Sequence, residues 1–259
     1  MNTEKVGQSS ALMTEKESCI IREKEHFVEE ESGAIAWIKG HGSPKTYGIY
    51  IMVLLIISLV FSLIAQSMFP VQYNILYHHV SQQGGLANNP DGHMFWNIMM
   101  IVTGVLYIPY VLHFYHSGKH ISPTLFKFAN MSAILACIGL SFVGVFPEDL
   151  GITHQIPASF AFFGFLIAAD LYWLKLSKFI KSQELWRKIL FHGVYTLINC
   201  SFLMILIQET LNFTPLRPET ITPWLNFQVW EWFMAIGIFS WLYGLILLFP
   251  LDKLLHFEE

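Results

Sequence analysis

Six blocks of about 20 apolar residues, parted by short polar runs, constrain this chain more than anything else in it. A helix of about 20 residues, rising 1.5 Å per residue, is what crosses about 30 Å of hydrocarbon. The blocks lie near residues 47–69, 94–115, 124–146, 157–175, 189–211 and 227–249. Lipid offers no partners to backbone N–H and C=O groups, so segments of this kind are helices. Only 13% of the chain is charged and 54% is hydrophobic, where a soluble domain carries about 25% charge. A soluble bundle of buried helices is thereby disfavoured. The expected fold is an all-α membrane protein, a six-transmembrane-helix bundle.

Charge placement sets the orientation. The segment before residue 47 carries Lys5, Lys16, Arg22, Lys24, Lys39 and Lys45, and the connection after the fourth block carries Lys178, Lys181, Arg187 and Lys188. The connections after the first and third blocks hold no Lys or Arg, and the one after the fifth holds only Arg217. Positively charged loops stay inside, so both termini are expected in the cytoplasm and these three connections outside. A cell membrane is the expected setting.

Three parts follow along the chain. Residues 1–46 form an acidic cytoplasmic tail, expected to be partly disordered; Ile20, Ile21, Phe27 and Val28 give it one narrow apolar face through which it could bind a cytoplasmic partner. Residues 47–249 form the bundle, and 250–259 a short cytoplasmic end. No apolar run opens residues 1–30, so the first span is expected to serve as its own insertion signal. Residues 71–80, with Tyr73, Tyr77, His78 and His79, suit a short interfacial helix. Pro109 and Gly104 suggest a kink in the second span. The run from His116 through Ser117 and Gly118 to His120 reads as a loop, because Ser-Gly opposes a helix. Cys19, Cys137 and Cys200 make no disulfide framework.

The polar groups gather at the outer ends of the spans. Ser81, Asn88, Asn89, Asp91, His93 and Asn97 precede or open the second span; Glu148, Asp149 and His154 follow the third; Glu209 closes the fifth and Glu231 lies about one turn into the sixth. Carboxylates crowded at one face raise one another's pKa or recruit a cation, and rim carboxylates are costly enough to suggest function. The candidate acid–base residues are Asp91, His93, Glu148, Asp149, His154 and Glu231. Asp91, His93, Asp149 and His154 are also candidate ligands for a divalent metal. Singly each has a plain structural role: Asp91 as a helix cap, Asp149 as a turn former, Glu231 snorkelling outward. Ser81 and Asn97, with His113, Asp170 and His192 nearer the inner face, are expected to be structural polar groups. Asp170 is the deepest carboxylate, and a histidine or lysine partner is expected for it.

The motifs Ser81-x-x-Gly-Gly, Asn89-Pro90, Phe95-x-Asn97 and Gly144-x-Phe146-Pro147-Glu148-Asp149 with His154 resemble those of the six-span membrane family catalogued as domain of unknown function 998. More distantly, the first outer loop is similar to that of the damage-regulated autophagy modulator and GPI-anchor-remodelling membrane families. The resemblance implies the fold and orientation over roughly residues 47–249, and no activity. Two functions follow from the residues. One is a protein that binds or organises lipid headgroups at the outer polar cluster. The other is a membrane-embedded metal- or acid/base-dependent lipid hydrolase or transferase. Membrane lipids are the expected partners; nucleic acid is not.

Overall fold

The computed structural model describes residues 33–210 and 227–248, apart from the side chains of 209–210 and 246–248. Residues 1–32 of the acidic tail, the Asn212-Phe213-Thr214 acceptor sequence for N-glycosylation, Arg217 and the C-terminal end lie outside the described residues, as does the side chain of Glu209. Every regular element described is helical. In order they are α1 (Gly33–Ile38), α2 (Pro44–Ser67), a 3-10 turn at Ser81–Gly84, α3 (His93–Gly118), α4 (Pro123–Val145), a 3-10 turn at Glu148–Leu150, α5 (Ile152–Ile180), α6 (Leu185–Thr210) and α7 (Phe227–Leu248). Five of them, α2 to α6, are long and apolar enough to cross a membrane. That is the make-up of a multi-pass membrane protein.

The helix starts follow from local chemistry. Ser43 caps α2 by accepting from the Thr46 N–H at 3.1 Å, and Pro44 occupies the first turn, where its missing donor costs nothing. Proline again opens α4, at Pro123. The start of α5 differs from the expectation. The sequence places the fourth apolar block near 157–175, yet the helix begins at Ile152 and Pro157 lies inside it. Gly151, at φ 55°, makes the turn that launches the helix five residues early.

Two further expectations are corrected. α3 runs through Gly118, so Ser117 and Gly118 are helical. The Ser117 hydroxyl bonds back to the His113 carbonyl at 3.0 Å, and the Phe126 ring fills the space a side chain at 118 would need. Packing overrides propensity there. Residues 71–80 form turns and not an interfacial helix. The Asn74 side chain accepts from the Leu76 N–H at 2.9 Å, a local bond that competes with helix, and Tyr73 and His78 stack on each other with Phe69 edge-on.

Helices adjacent in sequence pack together, α4 with α5 and α3 with α4 most extensively, while α7 packs on α6 and also reaches α2 and α5. Small residues set the closeness. A Cβ on Gly139 would lie 2.7 Å from the Ala161 nitrogen and 2.8 Å from the Pro157 carbonyl oxygen; one on Gly164 would lie 2.9 Å from the Ser132 carbonyl oxygen. Without side chains, α4 and α5 touch backbone to backbone. Polar bonds between helices add to this: Tyr107 to Tyr243 at 2.5 Å, Tyr110 to the Leu242 carbonyl at 2.9 Å, and Ser58 to Thr103 at 3.1 Å. The outward faces are apolar instead of charged. Ile49, Val53, Ile56, Val60 and Leu63 on α2, and Phe128, Met131, Leu135, Ile138 and Phe142 on α4, are all exposed. Surfaces of that extent mark contact with lipid or another apolar partner.

Candidate functional site

The connection between α2 and α3 folds down onto the end of the bundle where α3, α5 and α7 begin. Asn89 is its buried anchor. Its amide donates to the carbonyls of Ala65 and Gln83, both at 3.0 Å, and its oxygen accepts from the Gly92 N–H at 3.1 Å. Asn97 donates to the Gly84 carbonyl at 3.0 Å, and a Cβ on Gly84 would lie 2.6 Å from the Trp96 ring. The glycine therefore lets the loop lie flat on α3.

Two acidic groups then hold the connection from outside. Asp149 accepts from the backbone N–H of Leu86 with one oxygen and from that of Ala87, at 3.2 Å, with the other; Glu148 accepts from the Asn88 amide at 3.2 Å. From α7, Glu231 accepts from His79 Nδ1 at 3.0 Å and from the Val80 N–H at 3.1 Å, both on Oε2. A carboxylate can only accept, so His79 carries its proton on Nδ1 and presents Nε2 to the Gln228 amide 3.2 Å away. Tyr73 donates to the His79 carbonyl at 2.8 Å, and Trp232 to the His78 carbonyl at 3.2 Å.

The charges act on one another. Burial disfavours the charged form of His79, but the hydrogen bond and charge of Glu231, with Glu148 beyond, outweigh it and hold the ring above its ordinary pKa. Burial lifts Glu148 above the usual carboxylate range; His79 pulls it back, while Glu231 and Asp149 push it up again. Glu148, Asp149, Glu231 and His79 thus form one electrostatic neighbourhood. No Lys or Arg of the described residues falls between 46 and 118 or between 128 and 174, which leaves histidine as the positive partner at this end.

The remaining sequence candidates divide. His154, 7% exposed, donates from Nδ1 to the Phe146 carbonyl at 2.7 Å. It lines, with Ser81 and Glu231, the mouth of a cavity between α3, α4, α5 and α7. Asp91 and His93 do not join the group. Asp91 is exposed, and α3 begins after Gly92 without a side-chain cap; His93 turns Nδ1 to the Pro90 carbonyl at 2.9 Å. Among the described residues no three His, Cys, Asp or Glu side chains gather in a metal-holding group. Near the other end, Asp170 on α5 accepts from the Asn199 amide on α6 at 3.1 Å, with the Tyr195 hydroxyl as a further partner, so an amide and a phenol stand in place of the expected histidine or lysine. His192 accepts from Trp173 at 3.2 Å, and His113 bonds the Gly40 carbonyl at 2.9 Å while stacking on Tyr47. These three stay apart.

Sequence reasoning missed His79, Gln228 and the amide of Val80. A signal existed: a glutamate one turn into an apolar helix needs donors, and His78 and His79 belong to the facing polar run. Compared with known proteins, the chain matches no family model, no curated protein and no solved structure.

Proposed function

We propose that this chain is a six-span protein of the cell membrane that binds or organises lipid headgroups where the α2–α3 connection docks. The observation that carries the reading is the grouping of Glu148, Asp149, Glu231 and His79 around that connection, at the rim of an apolar bundle. α7, 22 residues long and nearly uncharged, serves as the sixth span. The Lys and Arg distribution supports both termini in the cytoplasm and the docked connection outside. The likeness of its Ser-Gly and Phe-Pro-Glu-Asp motifs to the six-span family named above belongs to the same proposal. A surplus of carboxylates favours headgroups that carry an ammonium over those that are purely anionic. A hydrolase or transferase would draw its base from the same His79–Glu231 pair, but His79 Nε2 is already held by Gln228, and binding is the better supported role.

Orientation is tested first. In a background with Cys19 and Cys200 replaced by serine, an impermeant thiol reagent added outside should label Asn88→Cys and spare Ser182→Cys. The reverse pattern refutes the topology. Headgroup binding is tested with purified protein in amphipol. Lipid with an ethanolamine headgroup should bind more tightly than its glycerol counterpart, and Glu148→Gln should weaken it by about tenfold, the value of one charge-assisted hydrogen bond. Equal affinity for the two headgroups in the wild type would end the proposal.

A further inference from the structure

Below the polar rim lies a cavity that headgroup binding does not require. It encloses about 640 Å³ of unfilled space, counting its open mouth. At that volume it is the size of a site for one small ligand. The mouth carries Ser81, His154 and Glu231, and the shaft is walled by apolar residues that include Ala158 and Phe165 on α5 and Ala235 and Leu242 on α7. From Glu231 to Leu242 the wall is continuous helix, a rise of about 16 Å at 1.5 Å per residue and so about half of the ~30 Å hydrocarbon core. One polar end and one leaflet's depth of apolar shaft are the shape of a single-chain amphiphile.

The chemistry at the mouth narrows the head. Glu231 is 8% exposed, and its two described bonds both fall on Oε2. His154 spends its Nδ1 proton on Phe146, so the neutral ring offers Nε2 only as an acceptor. A carboxylate and an imidazole acceptor, with Glu148 and Asp149 beyond, suit a donor that carries positive charge.

We infer that this cavity takes one acyl chain of an ammonium-bearing lipid, with the headgroup at Glu231 and His154 and the chain running between α5 and α7 toward Leu242. The inference rests on the headgroup reading above and adds to it a site that selects chain number and length. With about 640 Å³ in all, mouth included, the site holds one chain, so a monoacyl lipid fits wholly and a diacyl lipid leaves its second chain in the bilayer.

The test uses monoacyl ethanolamine phospholipids with 8- and 16-carbon chains, supplied as monomers to the full chain in amphipol. The wild type should prefer the longer chain. Leu242→Phe, which fills the far end of the shaft from α7, should weaken binding of the 16-carbon lipid by about tenfold, the effect of keeping two methylenes out of an apolar site. Binding of the 8-carbon lipid should change less than twofold. Phe165→Trp narrows the far end of the same shaft from α5 and should act alike, which keeps the test open if Leu242→Phe folds poorly. Unchanged chain preference in both variants overturns the slot, and if Glu148→Gln still weakens ethanolamine binding the headgroup reading stands alone. A chain preference that both variants remove, with glycerol and ethanolamine lipids bound equally in the wild type, keeps the slot and ends the ammonium assignment.

Discussion

Gly139→Val is expected to cost this chain its folded bundle. A Cβ at that position would lie 2.7 Å from the Ala161 nitrogen and 2.8 Å from the Pro157 carbonyl oxygen. Both are backbone atoms of α5 and cannot rotate away. The helices must separate, and the contact that separates is the most extensive between any two elements described. Forced overpacking costs about 1–3 kcal/mol where side chains can adjust, and here the cost is at or above the upper end. A fall in melting temperature of roughly 10 °C or more follows for a chain of this size. Gly193 supplies the control, because a Cβ there meets nothing within 4 Å. Gly193→Val should melt within about 2 °C of the wild type. Equal melting of the two variants would show that close approach at Gly139 is not what holds α4 to α5.

Glu231→Ala comes second in size. It leaves the Nδ1–H of His79 and the N–H of Val80 without an acceptor, and Val80 is buried. Removing the acceptor of a largely buried charge-assisted pair costs about 2–5 kcal/mol, less whatever the connection recovers by lifting into water. Lifting is therefore the expected outcome, read as a thiol at Val80→Cys that is silent with Glu231 present and reactive without it. Glu231→Gln keeps an acceptor oxygen and should expose that thiol far less. The same pair sets a pH dependence. His79 is raised from 6.5, so its stabilising contribution is complete below that value and is lost as pH rises through the higher folded pKa. Glu148 is raised from 4.5, so ionising it costs stability over the range above 4.5, with the same sign. Melting temperature should fall from pH 6 to pH 9, and fall less in Glu231→Gln. A wild-type curve that rises across this range would contradict the pairing.

Length and polarity alone located the apolar helices, because a run of 20 apolar residues has few alternatives in lipid. Their ends were less legible. Pro157 looked like a start, since nothing in the sequence says that Gly151 will adopt a positive φ and begin the helix earlier. Gly118 looked like a stop because the ring of Phe126, which occupies its vacant side, lies in another helix. At the candidate site, the residue types were legible and their pairing was not. Asp91 and Asp149 have equal standing in the sequence and both are exposed, yet Asp149 receives two backbone amides of the docked connection while Asp91 precedes α3 without capping it. The donors to Glu231 stand more than 150 positions upstream, a separation that no local pattern encodes.

That separation orders assembly. As the chain is made from its N-terminus, Asn89 can fix the α2–α3 connection to Ala65 and Gln83 almost at once. The clasp at Leu86 and Ala87 must wait for Asp149, some 60 residues later. The bonds to His79 and Val80 wait for Glu231, in the last of the described helices. A nascent chain halted before α7 would carry its connection half fastened, with His79 and Val80 still lacking their acceptor. The docked connection is in this sense a seal on the described bundle, closed only when α7 has arrived.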